Sequence, residues 1–507
     1  MASVADNVSS WLVEHAERRG EALAVRDAER SLDYAALEAR VARAAGVLAA
    51  AGVRRGERVA LLLGNRSAAL EAVFAAARLG AIAVPLNTRL APPEVTELLD
   101  DCRPVLLLAE TSLEPLAAKA CAAARRASPA RLLVGGAPDA WEAALAAASR
   151  VPDVAAVSPE DPMILMYTSG TTGMPKGALL PHRKALYNCK NAGHFFGLTA
   201  EDRVLTVVPL FHSFGLSILA IPTLWAGGAV VLQPRFEADA VWRTVAAERI
   251  TFFGGVPTMF AALLEAFDRE RPDVSSVRFL FTAGAAIPVE LIHAFAERGI
   301  SLKQGFGQTE TSILCCLDAA DAVRKAGSVG RPVLHAELRI VRSLGGPVAE
   351  WEDCAPGERG EIVVRGPITM TGYWERPEAT AETLRDGWLV TGDLGSFDDE
   401  GFVTLVGRSK EMFISGGENV YPRQVEAAYE QHPAVREVAV VGVAYPRWGE
   451  VGRAYLVLEP GAALDPEALT RFGRERLATF KVPRTFVAVP ALPRTASGKI
   501  QKHRLVK

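Results

Sequence analysis

Residues 167–177 read Tyr-Thr-Ser-Gly-Thr-Thr-Gly-Met-Pro-Lys-Gly. The hydroxyls of Thr168, Ser169, Thr171 and Thr172 stand among Gly170, Gly173 and Gly177, with one cation, Lys176. Glycine lets a backbone turn tightly and approach an anion closely. Hydroxyls and free backbone N–H groups donate to phosphate oxygens, and a lysine adds a mobile positive charge. The apolar run Met163-Ile-Leu-Met166 predicts a buried strand that leads into this loop. No Gly-Lys-Ser/Thr follows a glycine at P-loop spacing. The chemistry implied is the binding of a nucleotide phosphate in a different architecture.

The elements that must hold such a loop alternate along the chain. Residues 35–51, rich in Ala and Leu and followed by Gly52, predict a helix with a glycine end. Residues 58–63 predict a buried strand, 68–79 a helix and 81–84 a strand before Pro85. The Ala-rich stretch 117–149 reads as helical. Further apolar strands are expected at 204–208, 229–232, 251–253 and 278–282. This is the rhythm of a layered α/β fold, in which ligands gather at the carboxyl ends of strands. Residues 335–407 change to short β segments with glycine turns, among them 361–365 and 401–406. After Gly407-Arg-Ser-Lys410 a new pattern begins: helix 423–431, strands 438–442 and 454–458, helix 466–478, strand 485–489. That is a unit of about a hundred residues, large enough to fold alone.

Composition narrows the function classes. A chain of 507 residues exceeds one compact core. A net charge of −3 gives no reason to expect a nucleic-acid partner. Six cysteines, at 102, 121, 189, 315, 316 and 354, form no C-x-x-C pair, and the histidines form no metal cluster. Reduced thiols and a cytoplasmic location are expected. The first residues carry no secretion signal, and the final Leu505-Val506-Lys507 is not a peroxisomal tripeptide. Residues 204–234 lack Asp, Glu, Lys and Arg, but Pro209, Pro222 and Gly227-Gly228 cut them into short pieces. Buried strands and one helix are expected there rather than a transmembrane segment. Peripheral membrane contact and a homodimer stay open.

With these loops in hand, the chain resembles the adenylate-forming acyl-CoA synthetases, a family that includes aryl-CoA ligases, luciferases and peptide-synthetase adenylation domains. The resemblance rests on six motifs in the family's order: 167–177, Gly305-Phe-Gly-Gln-Thr-Glu310, Thr391-Gly-Asp393, Gly407-Arg-Ser-Lys410, Gly416-Gly-Glu-Asn419 and Pro493-Arg-Thr-Ala-Ser-Gly-Lys499. It implies a large adenylation domain, 1–408, and a small mobile C-terminal α/β domain, 409–507, with the hinge at 408–410 and its pivot at Lys410. It implies ATP, Mg²⁺ and coenzyme A. Thr168, Ser169, Gly170, Thr171, Thr172, Gly173 and Lys176 then form the triphosphate loop, and Gly284 and Ala285 belong to the nucleotide site. Thr309 contacts the α-phosphate, Glu310 holds the metal, Phe306 stacks on adenine, and Asp393 and Arg408 bind the ribose. Lys499 is the catalytic lysine that bridges the carboxylate and the α-phosphate. Gly416 and Gly417 line the pantetheine tunnel, with Trp448 on the same thiolation face, and His212 gates the acyl pocket.

Positions that line this pocket in relatives include Phe211, Phe214, Gly215, Phe253, Gly254, Val256, Ala283, Gly284, Gly305 and Gly307. They are small or apolar, and a second carboxylate buried among them would lack a partner. Gly307 stands where acetate-specific relatives place Trp, which suggests an open pocket. The texture of 84–90 and 415–422 resembles medium- and long-chain fatty acyl-CoA synthetases. The expected activity is therefore ATP-dependent ligation of a small-molecule fatty acid to CoA. The alternatives are an aryl or cinnamate-type ligase, which shares Gln304-Gly305-x-Gly307, or an enzyme that loads a separate carrier protein.

Overall fold

The computed structural model describes residues 2–148, 153–168, 175–284, 287–408, 413–420, 422–493, 500 and 502–505. Two sheets build most of the large N-terminal domain. One has nine strands. Its central six, Leu302–Gln308, Phe279–Thr282, Phe252–Gly255, Arg203–Thr206, Ala229–Leu232 and Leu23–Arg26, lie parallel in that spatial order. The other has seven strands, and Pro162–Thr168 and Lys176–Pro181 pair antiparallel near one edge. A third, antiparallel sheet contains Gly360–Arg365, Trp388–Phe397 and Val403–Arg408.

Helix Ser67–Arg78 shows why the first two sheets pack closely. All of its residues are buried, and six of them are alanine. Small side chains let a helix sit inside a protein with no polar face to present. Its one carboxylate, Glu71, is fully buried, but it is paired with Arg40 at 2.7 Å and accepts from Trp141 Nε1 at 3.1 Å. A buried charge is tolerable when it is paired and hydrogen-bonded in this way. One continuous apolar cluster then runs from Tyr34 and Phe74 to Phe252 and Phe281.

The small C-terminal domain carries its own sheet of Phe413–Ser415, Glu418–Val420, Val435–Tyr445, Gly449–Leu458 and Thr485–Ala488. Helices Pro422–Tyr429 and Pro466–Arg476 cover it, and Phe413, Tyr429, Val440, Leu456 and Phe486 make a separate core. The Ala-rich stretch departs from expectation. Helices Glu114–Ala123 and Ala140–Ala147 are separated by strand Ala130–Val134, which pairs with Leu106–Glu110. Pairing with a neighbour outweighs the local helix preference of alanine there. Residues 204–234 hold two strands with a π-helix, Phe214–Ala220, and a short α-helix, Ile221–Trp225, between them. Among the described residues no helix is long and apolar enough to cross a membrane. All six cysteines are free.

Candidate active site

The parallel strands of the nine-stranded sheet end at a common rim, and a cavity of roughly 910 Å³ opens there. Five of the six parallel strands contribute to its wall, the exception being Leu23–Arg26. Val207, Val208 and Pro209 follow Arg203–Thr206, Phe236 follows Ala229–Leu232, Val256 follows Phe252–Gly255, and Ala283 and Gly284 follow Phe279–Thr282. Buried Asn65 ties these ends together. Its amide donates to the carbonyls of Thr206, Val208 and Gln233 at 3.3, 3.0 and 3.1 Å, and its oxygen accepts from Leu210 N at 2.9 Å.

Motifs far apart in sequence meet in this cavity. Thr168, Lys176, Phe306, Gly307, Gln308, Thr309, Glu310, Thr391 and Gly392 line it together with Phe211, His212, Phe214, Gly416 and Gly417. Glu310 is nearly buried; its Oε1 accepts from Tyr373 at 2.9 Å and lies 3.5 Å from Thr168 Oγ1. The Lys176 ammonium sits over the Tyr373 ring, 5.2 Å from its centre. Tyr373 therefore links the phosphate-loop lysine to the acidic residue, a role that no local signal in the sequence revealed. Asp393 is buried and accepts from the Gln308 amide, which also donates to Thr391 O at 2.8 Å. Arg408 pairs with Asp393 in the backbone register of their two strands. Ser169, Gly170, Thr171, Thr172, Gly173, Ala285, Lys410 and Lys499 lie outside the described residues.

Four expected pocket residues, Gly215, Phe253, Gly254 and Gly305, do not reach the cavity. Phe253 points to the opposite face of its strand, as period-two alternation requires, and packs against Trp242 and Phe260. Gly254 and Gly305 lie behind rings. A Cβ would stand 2.8 Å from Phe214 at the first and 2.6 Å from Phe281 at the second. The absence of side chains there makes room for Phe214 and Phe281, which form the wall instead. Gly215 leaves space for the carbonyl of Pro209, 2.4 Å from a Cβ. Gly307 lines the cavity, but a Cβ on it would fall 1.8 Å from Ser312 O. Its glycine serves the tight hairpin to Ser312–Cys316, so a Trp there would displace backbone rather than simply fill the pocket. Phe236, Met259, Phe281 and Ile313 are wall residues that sequence spacing did not reveal.

The C-terminal domain closes the other side. Gly416 and Gly417 have φ of +58° and +83°, a conformation that glycine adopts without steric cost. A Cβ on Gly417 would be 3.0 Å from Val256, and one on Gly416 would be 2.9 Å from the Trp448 ring. Trp448 thus braces the loop from behind and lies outside the cavity lining. Glu418 is 2.8 Å from both His212 Nε2 and Arg89 Nη1 across the domain boundary.

That cluster sets a pH dependence. Burial disfavours the His212 imidazolium, but the Glu418 charge and hydrogen bond outweigh it and raise His212 above its ordinary 6.5. Burial likewise opposes the Glu418 carboxylate, but His212 and Arg89 hold it below its ordinary 4.5. The pair therefore supports this arrangement fully between about 4.5 and 6.5 and loses that support as pH rises through the raised histidine value. The thioester-forming step of the wild type divided by that of His212→Gln should be largest near pH 6 and fall toward pH 9. A ratio independent of pH would remove His212 from this role.

Thr168 and Lys176 beside buried Glu310, in a cavity at the carboxyl rim of a parallel sheet that both domains wall, fit an adenylating enzyme. Residues 12–374 match the pattern of the AMP-binding enzyme family and residues 424–499 that of the AMP-binding enzyme C-terminal domain. The chain belongs to this family of adenylate-forming acyl-CoA synthetases and is an AMP-forming acid–CoA ligase. It is 43% identical to a feruloyl-CoA synthase from Amycolatopsis over 98% of this chain and 97% of that protein. It is 42% identical to an indoleacetate–CoA ligase from Aromatoleum aromaticum over 98% and 96%. The o-succinylbenzoate CoA synthetase of Bacillus subtilis, as a double mutant bound to its product analogue OSB-NCoA, matches with a TM-score of 0.88 at 34% identity, over 98% of each chain. The same enzyme with AMP matches at 0.72, over 98% and 97%. At equal identity, the backbone as a whole is therefore nearer to that of the product-analogue complex.

Proposed function

We propose that this protein activates an aromatic carboxylic acid, of the arylpropenoic or arylacetic type, and transfers it to CoA. Relatives at 43% and 42% identity over nearly the whole chain carry feruloyl-CoA synthase and indoleacetate–CoA ligase names, and this carries the reading. The cavity supports it, because Phe211, Phe214, Phe236 and Phe281 supply ring surfaces beside Met259. The expectation of a fatty acid, drawn from the sequence texture of 84–90 and 415–422 and from an apolar, open pocket, gives way to the aryl alternative. Ring–ring contacts add about 0.5–1.5 kcal/mol each beyond burial of area, so two of them favour a planar aryl group by about five- to 150-fold.

In the first step the acid's carboxylate oxygen attacks the α-phosphorus of ATP, and pyrophosphate leaves. Thr168 and Lys176 hold phosphate oxygens, Thr309 donates to the α-phosphate, Phe306 covers adenine, and Asp393 and Arg408 take the ribose hydroxyls. Lys499 bridges the two reacting anions. The Glu310 carboxylate with the Thr168 hydroxyl beside it offers hard oxygen donors that fit Mg²⁺, which would offset the charge gathered on the phosphates. In the second step the CoA sulfur attacks the acyl carbon, and AMP leaves with the bonding electrons. Gly416 and Gly417 admit pantetheine there, and His212 flanks the acyl group. The domains are 1–408 and 409–507, with rotation at Lys410 between the steps. Free cysteines suit a reducing, cytoplasmic setting.

The test is kcat/KM for acetate, hexanoate, dodecanoate, benzoate, cinnamate, ferulate and indoleacetate. An aryl acid should exceed every fatty acid by about tenfold or more. Hexanoate or dodecanoate leading the series would restore the fatty-acid assignment.

A further inference from the structure

Helix His182–Phe196 begins where strand Lys176–Pro181 ends. Lys184, Asn188 and Asn191 recur along it at spacings of four and three, which places them on one face. An ordinary amphipathic helix would turn that polar face to water. Here it is the buried one, with all three residues at most 1% exposed. The stripe meets the segment that follows the Thr309-Glu310 pair. Lys184 Nζ makes a short hydrogen bond with Ser312 Oγ. Asn188 Oδ1 accepts from Ile313 N at 3.3 Å, and its amide donates to Ser217 O at 2.5 Å. Asn191 Oδ1 accepts from His335 N at 3.3 Å.

Ser312 has φ of +59°, a left-handed conformation in which a non-glycine residue is strained. Glycine would fit without strain. Ser312 is also almost fully buried, and its hydroxyl faces the lysine. Lysine and a strained serine are each unfavourable alone in such a place, yet they meet. Burial opposes the Lys184 charge, the Glu310 carboxylate favours it and Arg183 opposes it, and the amine is pushed down to about 7.

We propose that Lys184 and Ser312 are positioning residues for adenylation: they fix the turn after Glu310 at a set distance from the strand that carries Lys176. Strand Lys176–Pro181 holds one half of the nucleotide site, and the Phe306–Glu310 segment holds the other. The helix that grows from the first grips the second through Ser312 and Ile313. Neither side chain touches ATP. They act by holding Glu310, and with it Thr309, in place. This rests on ATP-dependent acid activation by the family and is independent of which acid is used.

The decisive variant is Ser312→Gly, because relief of left-handed strain offsets part of the cost of leaving the buried Lys184 without its hydroxyl partner, so the protein should stay folded while the hydroxyl is lost. Lys184→Met and the double variant complete a cycle. Pyrophosphate release with the best acid of the panel should fall about tenfold in Ser312→Gly, with the KM for ATP and the Kd for ATP raised. CoA transfer to a synthetic acyl-adenylate should stay within twofold. The double variant should be no slower than the slower single variant, as coupled residues require. Ser312→Gly adenylating at the wild-type rate, or losses that multiply in the double variant, would overturn the proposal. If Lys184→Met does not fold, Ser312→Gly decides alone. An enzyme that prefers a fatty acid would leave this result intact, so the two readings fail separately.

Discussion

Lys499→Ala is expected to lower pyrophosphate release by at least about 10²-fold, the scale on which one group that stabilises a charged transition state acts. CoA transfer to a pre-made acyl-adenylate should be largely spared. The reason lies in the two domain positions. Glu418 and the Gly416-Gly417 loop stand at the cavity here, where the proposed thiol step places pantetheine. The repulsion that Lys499 is proposed to offset, between an anionic carboxylate and an anionic triphosphate, exists only before pyrophosphate leaves. Single-turnover measurements of each half-reaction separate the cases. Equal loss in both would assign Lys499 to general domain placement rather than to adenylation.

The second large effect is expected from Lys481→Met. Lys481 of the C-terminal domain and Glu94 of the large domain stand 2.8 Å apart with side chains 6% and 7% exposed. Removing one partner of such a buried pair leaves the other charge without compensation and costs about 3–5 kcal/mol where the structure cannot relax. The proposed rotation at Lys410 would let the small domain turn away and return Glu94 to water. The cost should therefore appear as a loss of this arrangement rather than as unfolding. CoA transfer should fall by up to about 10²-fold with adenylation little changed and the melting temperature nearly constant. Glu94→Gln should reproduce the effect, since its amide oxygen keeps the bond to Ala91 N, 2.9 Å in the native protein, while the charge is lost. Both half-reactions falling together would show that the pair serves stability alone.

Much of this protein follows from local pattern. The alternation of residues 35–85 predicts the helices and strands observed at Tyr34–Ala50, Arg58–Leu62, Ser67–Arg78 and Ile82–Pro85, because burial periodicity acts over a few residues. The phosphate loop, the 305–310 segment and the order of the motifs are likewise short-range signals, and they identify the adenylating chemistry. The acid is another matter. Small or apolar residues at the expected pocket positions suited a fatty acid as well as an aryl one. Packing alone decides which of them form the wall: Phe253 turns to the helices, and Gly254 and Gly305 yield their space to Phe214 and Phe281. The pairs that hold the site together join distant residues. Lys184 and Ser312 are 128 positions apart, His212 and Glu418 206, and Glu94 and Lys481 387. A lysine or a glutamate in the sequence reads as a solvated charge. Only the tertiary structure brings each pair together and takes Lys184, Glu418, Glu94 and Lys481 out of water, and a buried charge persists only beside the partner that compensates it.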